Sequence, residues 1–409
     1  MTDLHVVGRD RPARRARSRR AALNDERLRL AASSCVLQRG WDAVSFLGVA
    51  QEAGLTTRPL YDRYRDTSEV GVDLWRNQVG PKVGQALDTL LDAALQQRDL
   101  DQVVQALEPF IRPGEALSVA AELIAAAPYD DQLAAAIRDP DTVGALTRCQ
   151  PAADRTAEQA AQATYVLIAA LGLLMIRTRP QAATLDVTAD VAELLEALEH
   201  PGPVAVLPEV DAPHMRSFVA DDPDLRDSAI LTATLKAVAE RGYTGATTEY
   251  IAACADVSQG AVFARYASKL QLFIEATGRQ QAAAFRANYE LARQLTEQIG
   301  PGRAEATMIR EWLRPEHRHG RALVLEQTRL SWHDEAMRAV VENLERSFMD
   351  EIGTESAPHH QHRRTAHLYW ELALGQGCNV VGVLVPWAWQ LPMSVVTIPL
   401  LEPSSADST

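Results

Sequence analysis

The chain contains the stretch RGWDAVSFLGVAQEAGLTTRPLYDRY at residues 39–64 and the related stretch RGYTGATTEYIAACADVSQGAVFARY at residues 241–266. Shifted by 202 positions, the two align without a gap, so that Gly40 falls on Gly242 and Tyr64 falls on Tyr266. A chance similarity between two alanine-rich helices would not keep turn residues in register. The sequence therefore indicates an internal duplication followed by divergence.

Each copy has the pattern of a short helix, a tight turn and a second short helix. In the first copy, Gly40 is placed to end a preceding helix, and Ser45 can cap the next one. Gly54 suits a left-handed turn, and Thr56 can cap a third helix that runs to Tyr64. The second copy offers at the corresponding positions Gly242, Thr247, Asp256, Ser258 and Tyr266. The pattern predicts two helix-turn-helix motifs.

The rest of the chain shows helical periodicity only. Alanine and leucine are abundant and aromatic residues make up only 6% of the chain, a composition that favours helices over sheets. We therefore expect an all-α fold of two tandem halves, each with an N-terminal three-helix helix-turn-helix domain followed by a helical bundle. The expected boundaries are a basic disordered arm at 1–23, the first helix-turn-helix domain at 24–72, the first bundle at 73–200, a linker at 201–223, the second helix-turn-helix domain at 224–275 and the second bundle at 276–402.

The two copies resemble the N-terminal signature of the TetR family of one-component regulators. The first copy carries the resemblance at Val49-Ala50, Ala53-Gly54-Leu55-Thr56, Leu60-Tyr61 and Arg63-Tyr64. The second carries it at Thr247, Ile251-Ala252, Ala255-Asp256-Val257-Ser258, Gly260, Val262-Phe263, Arg265-Tyr266 and Ser268-Lys269. Each copy also departs from the signature: Thr67 stands where the family has a lysine, and Phe263 where it has a tyrosine. These complementary losses favour two DNA readers with different preferences.

The resemblance implies a DNA-binding transcriptional regulator, by default a repressor, and not an enzyme. It also implies that the bundles are regulatory, serving ligand binding and dimerisation, with an unknown small-molecule inducer inside one or both of them. No cofactor is expected. Candidate walls of a ligand pocket are Trp312, Trp332, Tyr369 and Trp370. The alternative is a degenerate helical module that binds a ligand or another protein but no longer binds DNA.

The third helix of such a motif lies in the major groove, with its N-terminal residues facing base edges. In the first copy, Thr57 and Arg58 occupy that position, and Arg58 could bind guanine O6 and N7. In the second copy, Gln259 would pair with adenine, while Gly260 permits a close approach of the backbone.

Phosphate contacts are expected from side chains beside these base readers and from helix N-termini. The side chains are Tyr61, Arg63, Tyr64, Arg265, Tyr266 and Lys269. The N-termini lie near Ser45, Thr247 and Thr248. For Tyr64 and Tyr266 the alternative is packing in the core, and for Arg63 and Arg265 it is a solvated face.

The formal net charge of −13 is unevenly distributed. Residues 9–20 carry seven arginines against one aspartate, whereas most of the remaining chain is acidic. A basic arm on an acidic body is typical of contact with nucleic acid or a membrane surface, although a solvated tail is the alternative. We expect this arm to reach an adjacent minor groove through Arg14, Arg15, Arg17, Arg19 and Arg20.

Several other classes of protein are disfavoured. The cysteines lie far apart, which fits a reducing cytosol and argues against a zinc site, and the N-terminus lacks an apolar signal stretch. The histidines at 359, 360 and 362 have no cysteine or carboxylate nearby to complete a metal site. No phosphate-binding loop or catalytic elbow is present. We therefore expect a cytoplasmic protein without a metal.

Two apolar segments remain to be placed. Residues 372–401 carry no charge, but their prolines and amides argue against insertion in a membrane. The most apolar helices, at about 154–178 and 363–384, are candidates for a bundle that joins the halves. We expect an intramolecular pseudo-dimer on double-stranded DNA, with further homo-oligomerisation left open.

Overall fold

A computed structural model describes residues 10–179, 182–212, 225–353 and 361–402. Over these ranges the chain folds into α-helices joined by short turns and forms no β-strand, as the all-α prediction requires. The first half contains α1 (Asp10–Arg39), α2 (Phe46–Glu52), α3 (Arg58–Tyr61), α4 (Thr67–Leu74), α5 (Gly80–Asp92), α6 (Leu100–Ile111), α7 (Glu115–Ala126), α8 (Asp131–Ile137), α9 (Ala157–Ile176) and α10 (Thr188–Glu199).

The second half also begins with a long helix followed by two short ones. Its helices are α11 (Leu225–Gly245), α12 (Thr248–Cys254), α13 (Gln259–Phe263), α14 (Lys269–Ile299), α15 (Pro301–Leu313), α16 (Arg318–Ser331), α17 (Glu335–Gly353), α18 (Gln361–Leu384) and α19 (Ser394–Leu401).

The first helix-turn-helix motif is shaped by two glycines and a cap. Gly40 has a φ of 78° and turns the chain after α1, and Gly54 has a φ of 61° in the turn between α2 and α3. The Ser45 hydroxyl accepts a hydrogen bond from the Gly48 N–H and begins α2. The predicted helix start and turns are therefore present at these residues.

The second motif repeats this geometry position by position. Gly242 has a φ of 71° and interrupts α11, and the Thr247 hydroxyl accepts from the Tyr250 N–H at the start of α12. Asp256 replaces the second glycine and still adopts a φ of 53°. Aspartate tolerates the left-handed conformation better than most residues, which explains why the turn survives the substitution.

The apolar core crosses from one half into the other. One cluster of buried side chains contains the interior of the first half together with the inner faces of α15, α18 and α19, for example Ile309, Val381 and Val395. A smaller cluster fills the second helix-turn-helix unit and includes Ile251 and Phe273. The bundle helices of the two halves therefore share one core.

The helices α9 and α18 pack at short distance against each other. A Cβ added at Gly172 would lie 1.7 Å from the Ala373 carbonyl oxygen, and one added at Gly377 would lie 1.8 Å from the Ile168 carbonyl oxygen. The backbones can approach this closely only because both positions are glycine. The two apolar helices that the sequence singled out do pack against each other.

The helix α9 is also the one described helix that is long and apolar enough to cross a membrane. Of its most apolar window, 94% is buried inside the protein. The uncharged segment at 372–401 is likewise divided between the end of α18, a short 3-10 turn and α19, and most of its side chains face the shared core.

The segment after α10, predicted to be a linker, has no helix over residues 201–212 and lies against the second half. Its Gly202 N–H donates to the Val395 carbonyl at 2.8 Å, and its Ala205 N–H donates to the Ser394 hydroxyl at 3.0 Å. The remainder of the predicted linker, residues 213–223, lies outside the described residues.

The predicted disordered arm needs a correction. The helix α1 begins at Asp10, so residues 10–23 are its first turns and not a disordered segment. Alanine and arginine are good helix formers, and a preformed helix from residue 25 onwards lets them extend it without a new nucleus. The five predicted arm arginines (Arg14, Arg15, Arg17, Arg19 and Arg20) therefore lie on a helical backbone; residues 1–9 lie outside the described residues.

Candidate nucleic-acid interface

The first candidate reading helix is α3. Its N-cap is Thr57, whose side chain makes no capping hydrogen bond, so the prediction that Thr56 caps this helix is wrong. Proline at the second helical position fixes the backbone without a cap. The Arg58 side chain is 87% exposed and makes only a long ion pair of 3.8 Å with Asp62, one turn along α3. It is therefore available for a partner outside the chain.

The second candidate reading helix, α13, begins as predicted. The Ser258 hydroxyl accepts from the Ala261 N–H at 3.2 Å and caps the helix. Gln259 and Gly260 are exposed at its start. A Cβ added at Gly260 would meet nothing closer than the Ser258 Oγ at 3.8 Å. Internal packing therefore does not require glycine here, and the open surface suits a close external approach.

An exposed aromatic ring occupies the same position in both reading helices. Tyr61 is 68% exposed and Phe263 is 51% exposed, although large apolar side chains are usually buried. The Tyr61 ring rests edge-on against Phe46 at 5.0 Å between centroids, which holds it in place. Tyr61 is thus accessible for the predicted phosphate contact, whereas Phe263 presents an exposed ring without the hydroxyl that such a contact needs.

Tyr64 and Tyr266 are core residues, and their predicted phosphate contacts are wrong. Their exposed fractions are 6% and 4%. The Tyr64 hydroxyl donates to the Asp73 carboxylate at 2.7 Å on α4, and burial together with this bond raises the Tyr64 pKa well above its usual value. Tyr64 therefore anchors the end of α3 to α4.

Arg63 and Arg265 form the same internal ion pair in both copies. Arg63 pairs with Asp25 on α1, and Arg265 pairs with Asp227 on α11. Both partners are again 202 positions apart along the chain. These arginines therefore tie the end of each reading helix to the first helix of its motif, instead of pointing freely to solvent or phosphate as expected.

Lys269 was predicted to bind phosphate but is turned inwards. Its ammonium donates to the Tyr243 carbonyl at 2.8 Å and lies 4.2 Å from the centre of the Tyr243 ring. Desolvation by the surrounding residues lowers its pKa. Of the predicted helix N-termini, Ser45 and Thr247 are exposed, and Thr248 is half-buried.

A cluster of charged residues that the sequence reading missed lies where the two motifs meet. It consists of Asp42, Glu122, Glu326, Arg329 and His333, and we call it the inter-half cluster. Glu122 of α7 accepts from the Trp41 N–H at 3.2 Å, and Glu326 of α16 accepts from the Tyr243 N–H at 2.5 Å. Each carboxylate thus holds the first residue after the motif glycine, Gly40 or Gly242.

Arg329 supplies the positive charge of the inter-half cluster. It donates to Glu326 at 2.9 Å and to Asp42 of the other half at 2.8 Å. Burial alone would lower the Arg329 pKa, but Glu326, Asp42 and Glu122 together raise it above its ordinary value. His333 lies against Glu122 at 2.5 Å. Glu122 stands within the apolar run of α7, which marks it as a buried charge in need of a partner, but α16 carries several charged residues and gave no such signal for Glu326.

A cavity of about 540 Å³, partly open to solvent, lies in the second half and is lined by α14 to α18. Of the predicted pocket walls, Trp312 lines it, whereas Trp332, Tyr369 and Trp370 are buried elsewhere in the core. Among the described residues no group of histidine, cysteine and carboxylate side chains could hold a metal ion. The histidines at 359 and 360 lie outside those residues.

Two exposed short helices, each placed by a tight turn after a capped short helix, have the geometry of helix-turn-helix motifs. In agreement, residues 230–276 match the sequence model of the bacterial regulatory proteins of the tetR family. No curated protein matches the chain. The matched range contains the second motif and its supporting helices. It supports a DNA-binding transcriptional regulator of that family, a class of proteins that are not enzymes.

Proposed function

We propose that the chain is a single-chain pseudo-dimeric repressor that reads two halves of an operator with α3 and α13. One observation carries this proposal: the second motif, which matches the family, has the same turn geometry and the same internal ion pair as the first. Gly40 and Gly242 turn the chain alike, and Asp25–Arg63 and Asp227–Arg265 occupy equivalent positions.

The joining of the halves supports an intramolecular pairing. The backbones of α9 and α18 touch at Gly172 and Gly377, and the inter-half cluster links the two motifs directly. Members of the resembled family pair two identical chains. Here the linker makes the pairing intramolecular, with an effective concentration on the order of millimolar.

The two readers differ, so we expect an imperfectly palindromic operator. Arg58 would bind guanine and Gln259 would bind adenine, each contributing about 1–3 kcal/mol of discrimination against a wrong base. Exposed Tyr61, Ser45 and Thr247 and the arginines of α1 would contact phosphates. The centres of the two half-sites should lie about 34–36 Å apart, one turn of the duplex.

Ligand release belongs to the same proposal. The helix α14 begins six residues after the last residue of α13 and also forms a wall of the cavity. A small molecule in the cavity would therefore act on the element that supports the second reader. Its binding would change the relative position of the two readers and release the operator.

The test is a titration with DNA from upstream of the chain's own gene, over a series of salt concentrations, with random DNA as competitor. The chain should bind specifically as a monomer, with the mass of the complex checked by analytical ultracentrifugation. Arg58→Ala and Gln259→Ala should each weaken specific binding by about 1–3 kcal/mol. Arg112→Ala, at another exposed arginine paired within its helix, is the matched control.

Equal affinity for random DNA and for every candidate promoter would reject the regulator. That result would favour the alternative, a helical interaction module. The net charge of −13 and the departure from the family signature at Phe263 support this alternative. Specific binding only by a dimer of chains would reject the single-chain pairing and keep the regulator.

A further inference from the structure

The cavity in the second half has the size and walls of a site for an organic molecule. Its volume of about 540 Å³ lies within the range of small-molecule pockets. The side chains of Phe285, Met308, Trp312, Leu323 and Leu372 make most of its surface apolar. A ligand for this cavity therefore needs a largely apolar body.

Glu305 is the unusual member of this lining. Its carboxyl group faces the cavity from α15 and has no hydrogen-bond or ion-pair partner among the residues that the structure describes. Burial, with a smaller contribution from Glu371, raises the pKa of Glu305 from 4.5 to about 7. Glu305 is half-buried, and a carboxyl group that lines an apolar cavity without a partner is costly to ionise unless something neutralises it.

Glu371 is a second carboxyl in the same wall. Its side chain is 34% exposed, and burial raises its pKa. Its nearest basic group is His367, whose Nε2 lies 3.8 Å from the Glu371 carboxylate. The His367 Nδ1, however, is held by the Asp190 carboxylate at 2.8 Å. His367 therefore offers at most one positive charge to two acids.

The other charged groups of the lining do not neutralise this pair. Glu345 is bound to Arg179 through two hydrogen bonds of 2.6 and 2.7 Å. Arg286 is exposed to solvent on α14. The Cys378 thiol is buried, which raises its pKa and keeps it neutral. The apolar cavity thus presents two acids with too little positive charge.

We propose that this cavity binds an organic cation, an apolar body carrying one positive charge that Glu305 and Glu371 neutralise. Only the effect of this ligand on the operator rests on the proposed function; the binding itself does not. A cation allows both carboxyls to ionise, because it replaces the solvation that they lost. The rings of Phe285 and Trp312 add attraction for a cation at the faces of their π-systems.

The first experiment uses two probes of the same shape and opposite charge, tetraphenylphosphonium and tetraphenylborate. Each is titrated into the whole chain by isothermal calorimetry at pH 7. Tetraphenylphosphonium should bind with a stoichiometry of about one and at least about tenfold more tightly than tetraphenylborate. It should also release protons, because Glu305 ionises on binding; two buffers of different ionisation enthalpy measure this release. Equal affinities for the two probes would overturn the proposal.

Variants then assign the charge. Glu305→Gln and Glu371→Gln should each weaken tetraphenylphosphonium binding about tenfold, and Glu305→Gln should abolish the proton release. Glu316→Gln, at an exposed glutamate outside the cavity, is the control and should change nothing. Unchanged affinity in both cavity variants would also overturn the proposal, and the comparison of probes on the unmodified chain does not depend on how the variants fold.

The DNA titration separates this proposal from the proposed function. Without a probe, both cavity variants should bind the operator as the unmodified chain does, since neither carboxyl lies in a reading helix. A chain that selects tetraphenylphosphonium but binds no specific DNA keeps the cation site and loses the regulator. Specific DNA binding without selectivity between the probes keeps the regulator and rejects the cation site.

Discussion

Two glycines in the same helix, two positions apart, should respond to alanine in opposite ways. Gly377 of α18 faces α9, where a Cβ would lie 1.8 Å from the Ile168 carbonyl oxygen. Gly375 of α18 has no atom within 4 Å of the position of an added Cβ. The substitutions Gly377→Ala and Gly375→Ala are chemically identical and share the same helical context, so each is the control of the other.

The structure sets both magnitudes. To restore ordinary contact distance at position 377, α9 and α18 would have to separate by about 1.5 Å, and the obstacle is backbone that cannot turn aside. Overpacking of this kind costs about 1–3 kcal/mol of unfolding free energy. At position 375 alanine meets no obstacle and lowers the entropy of the unfolded chain, which adds about 0.4–1 kcal/mol.

Urea denaturation, monitored by circular dichroism, measures both effects through the midpoint urea concentration and the slope of the transition. We expect Gly377→Ala to lower the midpoint and Gly375→Ala to raise it. A Gly377→Ala variant at least as stable as Gly375→Ala would refute the close approach of the two helices. It would also remove the main support for the packing of the two halves against each other through α9 and α18.

Three further predictions concern buried charges and hydroxyls. Arg329→Met should lower the unfolding free energy by about 3–5 kcal/mol, because Arg329 is the buried partner of three carboxylates. Thermal denaturation at neutral pH measures this loss, and a loss of less than about 1 kcal/mol would contradict the prediction. Tyr64→Phe should cost about 0.5–1.5 kcal/mol of stability but leave DNA affinity unchanged, whereas a phosphate contact would show the opposite pattern. The pKa of Glu305 in the folded state is raised from 4.5 to about 7, so the folded chain holds this proton between those pH values and its stability falls as the pH rises from 4.5 to 7. Glu305→Gln should remove this fall, which denaturation at a series of pH values measures. Parallel stability profiles of the variant and the unmodified chain would argue against it.

The helices and turns were predictable because their signals are local. A glycine at 40 and at 242 marks the end of a helix whatever surrounds it, and the caps at Ser45 and Ser258 act on the next turn of the same chain. The predicted N-cap of α3 was wrong by one residue, because Thr56 and Thr57 are equally suitable caps by residue type. The proline in the first turn of α3 fixes the backbone without a side-chain cap.

The roles of polar side chains near the readers were harder to predict. A short helix does not reveal from its sequence which face its neighbours cover, so Tyr64 could be assigned to phosphate although Asp73 binds its hydroxyl. The inter-half cluster was out of reach for a different reason. Arg329 and Asp42 lie almost 300 positions apart, and nothing in either segment indicates the other.

The inter-half cluster also bears on which halves can pair. A two-fold axis that relates two identical chains brings only the residues beside the axis near their own copies, so that a glutamate buried at the axis would face a second glutamate. In this chain Glu122 and Glu326 approach the junction from the two sides, and the single Arg329 of the second half lies between them. Arg329 follows Glu326 by three residues, whereas the residue three positions after Glu122 is Ala125. Two first halves brought together would therefore bury acids without an arginine, and two second halves would crowd two arginines at the junction. In the proposed single-chain pairing the junction does not have to be self-complementary, and its charges would favour each half binding the other over binding a copy of itself.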